Sequence, residues 1–423
     1  MNEALTTYAI LAGIDTGEFD ADSSLDELEE LAKTAGAETV ARVIQKRNSP
    51  DSATVLGEGK IAEIAEFCSG YIEDENEDQK EKLLLIFDCE LSASQIRNIE
   101  KVVEVRVIDR TMLILDIFAG RAVSREGKLQ VELAQLKYRL PRLVGMGLAM
   151  SRLGGGIGTR GPGETQLETD KRHIRRRIEK LSDELKELET RRAFSRSRRK
   201  KDGTLIAAIV GYTNAGKSTL LNALTNADVL AEDKLFATLD PVSRGIELPD
   251  GRNLVIIDTV GLIRRLPHNL VQAFKSTLEE AANADLILHV QDISDPEHVE
   301  KAQVTSSLLN ELGAGEIPVV NLLNKCDLVE HTPPENESTV CISAKQDGNT
   351  PNGFTKLFET IAANLPDSAK RMCLLLPFDK AGLAAKIRQN GKIFTEEYTE
   401  SGLKLDALVE EKLVSLFSSY LIS

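Results

Sequence analysis

Eight consecutive residues in the middle of the chain form a pattern that binds phosphate. Residues 211–218 read Gly-Tyr-Thr-Asn-Ala-Gly-Lys-Ser, or G-x-x-x-x-G-K-S, and follow directly on the apolar run 205–210. In such a loop the glycines let backbone N–H groups close around the β-phosphate, while Lys217 reaches the β- and γ-phosphates and the Ser218 hydroxyl ligates Mg²⁺. An ordinary tight turn is the alternative interpretation. The motif predicts a nucleotide-binding loop between a buried strand and a helix.

Two segments farther along the chain suit the γ-phosphate and its metal ion. Thr238 lies in Phe-Ala-Thr-Leu-Asp at 236–240. We expect it to bind Mg²⁺ and the γ-phosphate when triphosphate is present and to release them after hydrolysis. Asp258-Thr259-Val260-Gly261 reads D-x-x-G at the end of the apolar stretch 254–257. We expect Asp258 to hold Mg²⁺ through water and the Gly261 N–H to contact the γ-phosphate.

Two later motifs indicate which base is bound. Residues 324–327 read Asn-Lys-Cys-Asp, or N-K-x-D, after the apolar run 317–323. The Asp327 carboxylate accepts two hydrogen bonds, which suits the N1–H and the exocyclic amine of guanine but not adenine. Ser343-Ala344-Lys345 follows another apolar run, and the Ala344 amide is placed to meet the guanine carbonyl. The four motifs in this order predict a P-loop GTPase, because in a general ATPase the Asp327 carboxylate would have no donors on the base to bind.

The predicted site combines these motifs. The residues with catalytic roles are Lys217, Thr238 and Gly261, and the metal ligands are Ser218, Thr238 and Asp258. The predicted nucleotide-binding residues are Gly211, Tyr212, Thr213, Asn214, Ala215, Gly216, Lys217, Ser218, Thr219, Phe236, Ala237, Thr238, Leu239, Asp258, Thr259, Val260, Gly261, Asn324, Lys325, Cys326, Asp327, Ser343, Ala344 and Lys345.

The composition bounds the class of protein. A chain of 423 residues with 42% hydrophobic content is long enough for about two to four domains with real cores. The five cysteines and five histidines show no metal-binding or disulfide spacing, so we expect reduced thiols and a reducing compartment. With no signal peptide and no apolar stretch near the roughly 20 residues that span a bilayer, we expect a cytoplasmic protein, and partial peripheral association with a membrane stays open. We also expect a monomer.

Positive charge is concentrated in one segment of an acidic chain. Residues 171–201 carry 14 Lys or Arg and five Asp or Glu, a local charge of +9 in a chain of net charge −15. Apolar residues at helical spacing predict one buried face: Leu167, Ile174, Ile178, Leu181, Leu185 and Leu188. Such a helix is either an arm for nucleic acid or a solvated helix with no partner. Residues 196–201 are predicted to form a hinge into the next strand.

A glycine-rich segment precedes this helix. Residues 154–168 read Gly-Gly-Gly-Ile-Gly-Thr-Arg-Gly-Pro-Gly-Glu-Thr-Gln-Leu-Glu, which is too rich in glycine for a regular element and predicts a loop. Glycine allows a close approach to another polymer, and Arg160 could add a phosphate contact. A flexible linker is the equally weighted alternative.

The order of elements predicts a multidomain α/β protein. We expect an N-terminal α/β domain at 1–150, a linker of the glycine-rich loop and basic helix at 151–200, a P-loop GTPase domain with a mostly parallel sheet at 201–366, and a small C-terminal α/β domain at 367–423. Alternating stretches around Asp250-Gly251 predict a hairpin, as do those around Ser401-Gly402, and residues 380–388 predict a helix.

Several segments together resemble the HflX family of ribosome-associated GTPases. They are Val-Ile-Asp-Arg-Thr at 107–111, residues 114–119, Glu-Gly-Lys-Leu-Gln-Val-Glu-Leu-Ala-Gln-Leu at 126–136, the loop at 158–168 with Asp-Lys-Arg at 170–172, and Gly-Tyr-Thr-Asn-Ala-Gly-Lys-Ser at 211–218. The resemblance implies a two-helix linker, binding of GTP and GDP, and binding to the large (50S) ribosomal subunit and its rRNA. It further implies rescue or splitting of stalled or idle ribosomes under stress. A nucleotide-gated regulator of a non-ribosomal protein or RNA is the alternative function.

Two positions bear on the mechanism. Leu262 follows the D-x-x-G glycine, where Ras-type enzymes place a glutamine that orients water, so basal hydrolysis is expected to be slow. Asn214 matches an asparagine that helps to hold K⁺ in related potassium-stimulated GTPases, and the resemblance therefore implies a K⁺ site beside the phosphates.

Overall fold

The computed structural model describes residues 7–75, 82–143, 162–201, 204–225, 235–236, 239–265, 275–345, 353–366 and 369–422. The predicted glycine-rich loop at 154–161, with Arg160, lies outside the described residues, as do Ala237 and Thr238. The chain divides into two compact units. The first is Met1–Thr190 with Glu232–Asp240 and Arg265–Lys275, and the second is Arg191–Ala231, Pro241–Arg264 and Ser276–Ser423.

The first unit contains a four-stranded parallel sheet with helices between its strands. Its apolar runs are buried as strands and pack with one face of the intervening helices, which confirms the predicted α/β architecture. The sheet order is β2-β1-β3-β4. The strands are β1 (Thr7–Asp15), β2 (Ala37–Lys46), β3 (Leu83–Phe87) and β4 (Arg106–Asp109), and the helices are α1 (Ala21–Thr34), α2 (Glu58–Glu75), α3 (Ala93–Val103) and α4 (Arg110–Arg121).

Buried charges tie the carboxyl ends of β3 and β4 to α1. Arg110 is 3% exposed, and its guanidinium donates to Asp88 at 2.7 Å and pairs with Glu27. The Ser24 hydroxyl donates to the second Asp88 oxygen at 2.6 Å, and Arg265 pairs with the same carboxylate. Because each charge has an opposite partner inside the cluster, the cost of removing it from water is offset.

Two further helices are joined by an ion pair within the first unit. These are α5 (Arg125–Leu143) and α6 (Pro162–Lys201), and Arg177 donates two hydrogen bonds of 2.7 Å to Glu132 across them. Leu181 is fully buried, while Ile174, Ile178, Leu185 and Leu188 are half-buried, which confirms the predicted face over these five residues. The side chain of the sixth, Leu167, lies outside the described part of the chain.

The helix α6 is longer at both ends than the sequence suggests. Residues 162–168, expected in the loop, form its first turns, because proline and glycine cost little where the N–H groups have no intrahelical partner. The predicted hinge at 196–201 is wrong, since the backbone stays helical to Lys201. Arginine and lysine favour helices, and the next glycine is Gly203.

The second unit contains a six-stranded, mostly parallel sheet in the order β10-β9-β8-β5-β7-β6, in which only β6 is antiparallel to its neighbour. Its strands are β5 (Leu205–Gly211), β6 (Val242–Glu247), β7 (Asn253–Asp258), β8 (Leu286–Asp292), β9 (Val319–Asn324) and β10 (Thr339–Cys341), and its helices are α7 (Lys217–Thr225), α8 (Lys275–Ala282), α9 (His298–Glu311) and α10 (Phe354–Asn364). The hairpin β6–β7 turns at Asp250-Gly251, as predicted, with Gly251 at φ +87°.

A small antiparallel sheet completes the second unit. Its order is β11-β13-β12, and the hairpin predicted at Ser401-Gly402 is confirmed. The predicted helix at 380–388 is a 3₁₀ turn, Phe378–Leu383, followed by a short α-helix. The elements are β11 (Ala369–Leu376), α11 (Ala384–Asn390), β12 (Lys392–Thr399), β13 (Gly402–Glu410) and α12 (Glu411–Phe417).

This sheet packs on the turn of the β6–β7 hairpin, and the same turn is bound to the end of α10. Arg252 is 8% exposed and donates to the carbonyls of Ala362 at 2.5 Å and Pro366 at 3.3 Å, at the end of α10. A Cβ on Gly251 would lie 2.3 Å from the Phe394 ring. The turn of the hairpin is therefore fixed by its neighbours within the unit.

None of the described helices is long and apolar enough to cross a membrane. All five cysteines are free thiols, of which Cys68 is buried and Cys373 is exposed.

The buried charge cluster of Arg110, Asp88 and Glu27 generates a stability prediction. Arg110→Met should destabilise the first unit by about 3–5 kcal/mol, because Asp88 and Glu27 would be left buried without that cation. Arg42→Met is the control, since Arg42 pairs with Asp26 at 2.6 Å with 38% and 67% of the two side chains exposed and should contribute at most about 1 kcal/mol. Hydrogen exchange of the β3 and β4 amides measures both changes, and equal effects would contradict the prediction.

Candidate nucleotide site

The predicted phosphate loop lies between β5 and α7. All seven residues of β5 are buried, so the loop begins at a fixed strand end. Two glycines are required by close contacts: a Cβ on Gly211 would lie 2.3 Å from the Val290 carbonyl oxygen, and one on Gly216, at φ +92°, would lie 2.3 Å from Asn324 Nδ2. The loop passes too close to β8 and β9 for any side chain at these positions.

Lys217 is buried beneath this loop. Its Nζ donates to the Tyr212 carbonyl at 2.7 Å. Burial lowers the pKa of Lys217 to about 8, and nearby Asp258 partly opposes that change. A buried ammonium group in a loop of backbone amides is the arrangement that attracts phosphate oxygens.

Ser218 and Asp258 bring two oxygen ligands together. The Ser218 hydroxyl donates to Asp258 Oδ2 at 2.7 Å, and Asp258 is completely buried at the end of β7. Hard oxygen donors suit Mg²⁺, which is bound through one or two protein groups together with water and phosphate. Among the described residues there is no cluster of three or more His, Cys, Asp or Glu side chains that could hold a metal.

The D-x-x-G segment turns back onto the phosphate loop. A Cβ on Gly261 would lie 2.6 Å from Thr213 Cγ2 and 3.1 Å from Lys217 Nζ, so only glycine fits beside the lysine. Leu262 is 1% exposed, and its N–H donates to the Gly211 carbonyl at 3.1 Å. Thr259 fastens the segment to β5 by donating to the Ile209 carbonyl at 2.7 Å.

Asn324 joins the phosphate loop to the loop after β10. Its Nδ2 donates to the Ala215 carbonyl at 2.8 Å, and its Oδ1 accepts from the Ala344 N–H at 3.0 Å. Asn324 is only 2% exposed, so both bonds form away from water. The side chain therefore fixes two of the predicted binding segments relative to each other.

The remaining residues of the predicted base site follow β9 and β10. Asp327 lies in the 3₁₀ turn Cys326–Leu328 with its side chain exposed, as a group that receives a ligand must be. Lys325, at φ +62°, pairs with Asp292 at 2.6 Å. The Ser343 hydroxyl donates to the Lys345 carbonyl at 3.2 Å, which orders the loop around Ala344.

The predicted residues Phe236 and Leu239 belong to the first unit and are buried. The Phe236 ring lies edge-on to Phe118 of α4, with centroids 4.6 Å apart. Asp240 accepts hydrogen bonds from the N–H groups of Val123 at 3.0 Å and Ser124 at 2.7 Å, where α5 begins. These contacts hold the residues on both sides of Ala237 and Thr238.

Some contacts at the site were not predicted. The Tyr212 hydroxyl accepts from the Arg264 N–H at 2.6 Å, and Arg264 pairs with Glu297 at 3.1 Å next to α9. Tyr212 occupies a variable position of G-x-x-x-x-G-K-S, and the pattern gives no role to the residues after D-x-x-G. The basic pair Arg264-Arg265 is the one sequence signal that could have indicated these contacts.

Comparison with protein-family models divides most of the chain into three matches. Residues 22–119 match a family described as "GTP-binding GTPase N-terminal", residues 121–199 match "GTP-binding GTPase Middle Region", and residues 206–325 match "50S ribosome-binding GTPase".

Curated relatives match over nearly the whole length. The chain is 49% identical over 415 residues to GTPase HflX of Caldanaerobacter subterraneus, covering 98% of this chain and 94% of the relative. It is 43% identical over 385 residues to GTPase HflX of Escherichia coli, covering 89% and 87%. Among solved structures, a GTP-binding protein from Sulfolobus solfataricus in complex with GDP is 25% identical, with a TM-score of 0.44 and coverage of 85% of this chain and 98% of that one.

The geometry at Asn324 generates a binding prediction. Asn324→Ala should weaken GDP and GTP binding about 10- to 100-fold, because it leaves the Ala215 carbonyl and the Ala344 N–H without their partner. Asn321→Ala, three residues earlier on β9, removes a 3.1 Å bond to Gln291 and should leave affinity within about twofold. Titration with fluorescent nucleotides measures both, and similar losses in the two variants would contradict a specific role for Asn324.

Proposed function

This chain belongs to the HflX family of GTPases, and we propose that it is a GTP-hydrolysing switch that binds the large ribosomal subunit and rescues or splits stalled or idle ribosomes under stress. Asn324 is the observation that supports the nucleotide site most directly, because it joins the phosphate loop to the proposed base-binding loop through two buried hydrogen bonds. The match of residues 206–325 to a family described as "50S ribosome-binding GTPase" and the basic helix α6 support the ribosomal partner.

In the proposed site the phosphates lie against the loop between β5 and α7. The Lys217 ammonium group binds the β- and γ-phosphate oxygens, and the Gly261 N–H contacts the γ-phosphate. Ser218, Asp258 and Thr238 are the residues that would hold Mg²⁺, and the ion would supply neutralisation of the phosphate charge. Asp327 accepts hydrogen bonds from guanine, and the Ala344 N–H donates to its carbonyl.

Leu262 limits what the free protein can do. Its side chain is apolar and buried, so it cannot orient the attacking water as a glutamine does. Basal hydrolysis is therefore slow, and the missing alignment comes from the bound ribosome. Asn214 has an exposed side chain and a φ of +60° at the rim of the phosphate loop, and its amide oxygen would fit a K⁺ ion there.

The proposed ribosomal contact uses the exposed side of α6. Arg175 and Arg176 are exposed on this helix, whereas Ile174, Ile178 and Leu185 are half-buried. A cationic surface of this kind binds the phosphates of RNA with a strength that falls as salt rises. The family description "50S ribosome-binding GTPase" for residues 206–325 favours the large subunit as the source of that RNA.

The base preference is tested at Asp327. Asp327→Asn should shift binding from guanine towards xanthine nucleotides, because the new amide donates where the carboxylate accepted. Asp379→Asn, at an exposed site in the C-terminal part of the chain, is the control and should keep guanine preference. Lys217→Ala should lose most triphosphate affinity whatever the base. Unchanged guanine preference in Asp327→Asn would place base recognition elsewhere.

The ribosomal partner is tested by sedimentation with 50S, 30S and 70S particles. With a non-hydrolysable GTP analogue the protein should pellet with 50S particles, and with GDP much less. Arg175→Glu with Arg176→Glu should weaken pelleting and flatten its salt dependence, whereas Lys370→Glu with Lys404→Glu, on the C-terminal sheet, should not.

The same particles should raise GTP hydrolysis by orders of magnitude over the free protein, a range known from other GTPase activation. Absence of nucleotide-dependent pelleting, together with an equal hydrolysis rate with and without particles, would favour a regulator of a non-ribosomal protein or RNA.

A further inference from the structure

The backbone after Gly261 is paired with the phosphate loop. The Leu262 N–H donates to the Gly211 carbonyl at 3.1 Å, and the Leu262 carbonyl accepts from the Thr213 N–H at 2.8 Å. These bonds form a parallel bridge between Tyr212 and Leu262, beyond the last paired residues of β5 and β7. The position of Gly261 is therefore set by pairing on its carboxyl side as well as by β7.

Tyr212 provides a third connection, made by a side chain. Its hydroxyl accepts from the Arg264 N–H at 2.6 Å, and the residue is 7% exposed. The Lys301 ammonium lies 5.4 Å from the centre of the Tyr212 ring, at a distance where a cation is attracted to an aromatic face. The phenol is thus held in place by packing before it bonds to the segment.

Arg264 extends this connection to α9. Its guanidinium pairs with Glu297 at 3.1 Å and with Glu300 at 3.2 Å, and Lys301 pairs with Glu297 at 3.4 Å. The same residue is therefore held by its backbone to Tyr212 and by its side chain to the start of α9. Together these contacts fix residues 262–264 against the phosphate loop.

We propose that Tyr212, through its hydroxyl and together with Arg264, is a positioning residue for GTP hydrolysis: it fixes the segment after Gly261, and thereby the Gly261 N–H, at the γ-phosphate. The buried Leu262 makes this important, because no side chain at that position can align water and the backbone must supply a defined surface. The inference rests on the nucleotide site proposed above. It concerns the γ-phosphate side only, so GDP binding should not depend on it.

The test is Tyr212→Phe, which deletes one oxygen and keeps the ring under Lys301. We expect kcat for the free protein to fall about three- to tenfold, the worth of one hydrogen bond, while KM and GDP affinity change less than about twofold. Tyr398→Phe, at an exposed position of the C-terminal sheet, is the matched control and should change neither. A purely structural role for the hydroxyl would lower GDP affinity and thermal stability together with kcat.

A double-mutant cycle with Arg264→Met distinguishes the positioning role from two independent losses. Because both residues hold the same segment, the combined variant should lose less activity than the product of the two single losses. Wild-type kcat in Tyr212→Phe, or strictly multiplicative effects, would overturn the inference. Lys217→Ala shows whether such a result means that the nucleotide site itself is wrong. If Lys217→Ala still binds GTP, the nucleotide does not bind at the proposed site. If Lys217→Ala loses GTP binding, the site is correct and only the positioning role of Tyr212 is wrong.

Discussion

The phosphate loop runs so close to β9 that one side chain determines the arrangement of the site. Asn324 leaves no room for a Cβ at Gly216, and it bonds to Ala215 on one side and Ala344 on the other. A buried amide that lost these partners would cost free energy without compensation. The phosphate loop, the end of β9 and the loop after β10 must therefore take up their positions together, as one rigid unit on a buried sheet.

The same close packing explains why charged groups are buried here. Lys217 and Asp258 lie inside the protein, where charge is costly, and the pKa of Lys217 is lowered as a result. Gly261 makes room for the lysine by having no side chain of its own. The fold thus keeps a cation with incomplete solvation beside backbone donors, and a bound polyphosphate would relieve that cost.

Much of this arrangement could be predicted because the signals are local. Apolar runs marked β5, β7 and β9, and the motifs that follow them lie close together because parallel strands present their carboxyl ends at one edge. The strand β2 was not predicted, since most of its residues are only half-buried and no alternating pattern marks it. Nor was the contact between Tyr212 and Arg264, because it depends on how distant segments meet, which periodicity does not encode.

The C-terminal sheet has a mechanical consequence for the hairpin on which it packs. The turn of β6–β7 is clamped, with Arg252 bound to the end of α10 and Gly251 against Phe394, while the other end of the hairpin carries Val242 paired with Asp258. A hairpin that is fixed at its turn cannot slide along the direction of its strands. The end of β7 that carries Asp258 is therefore held through the hairpin as well as by the pairing of β7 with β5.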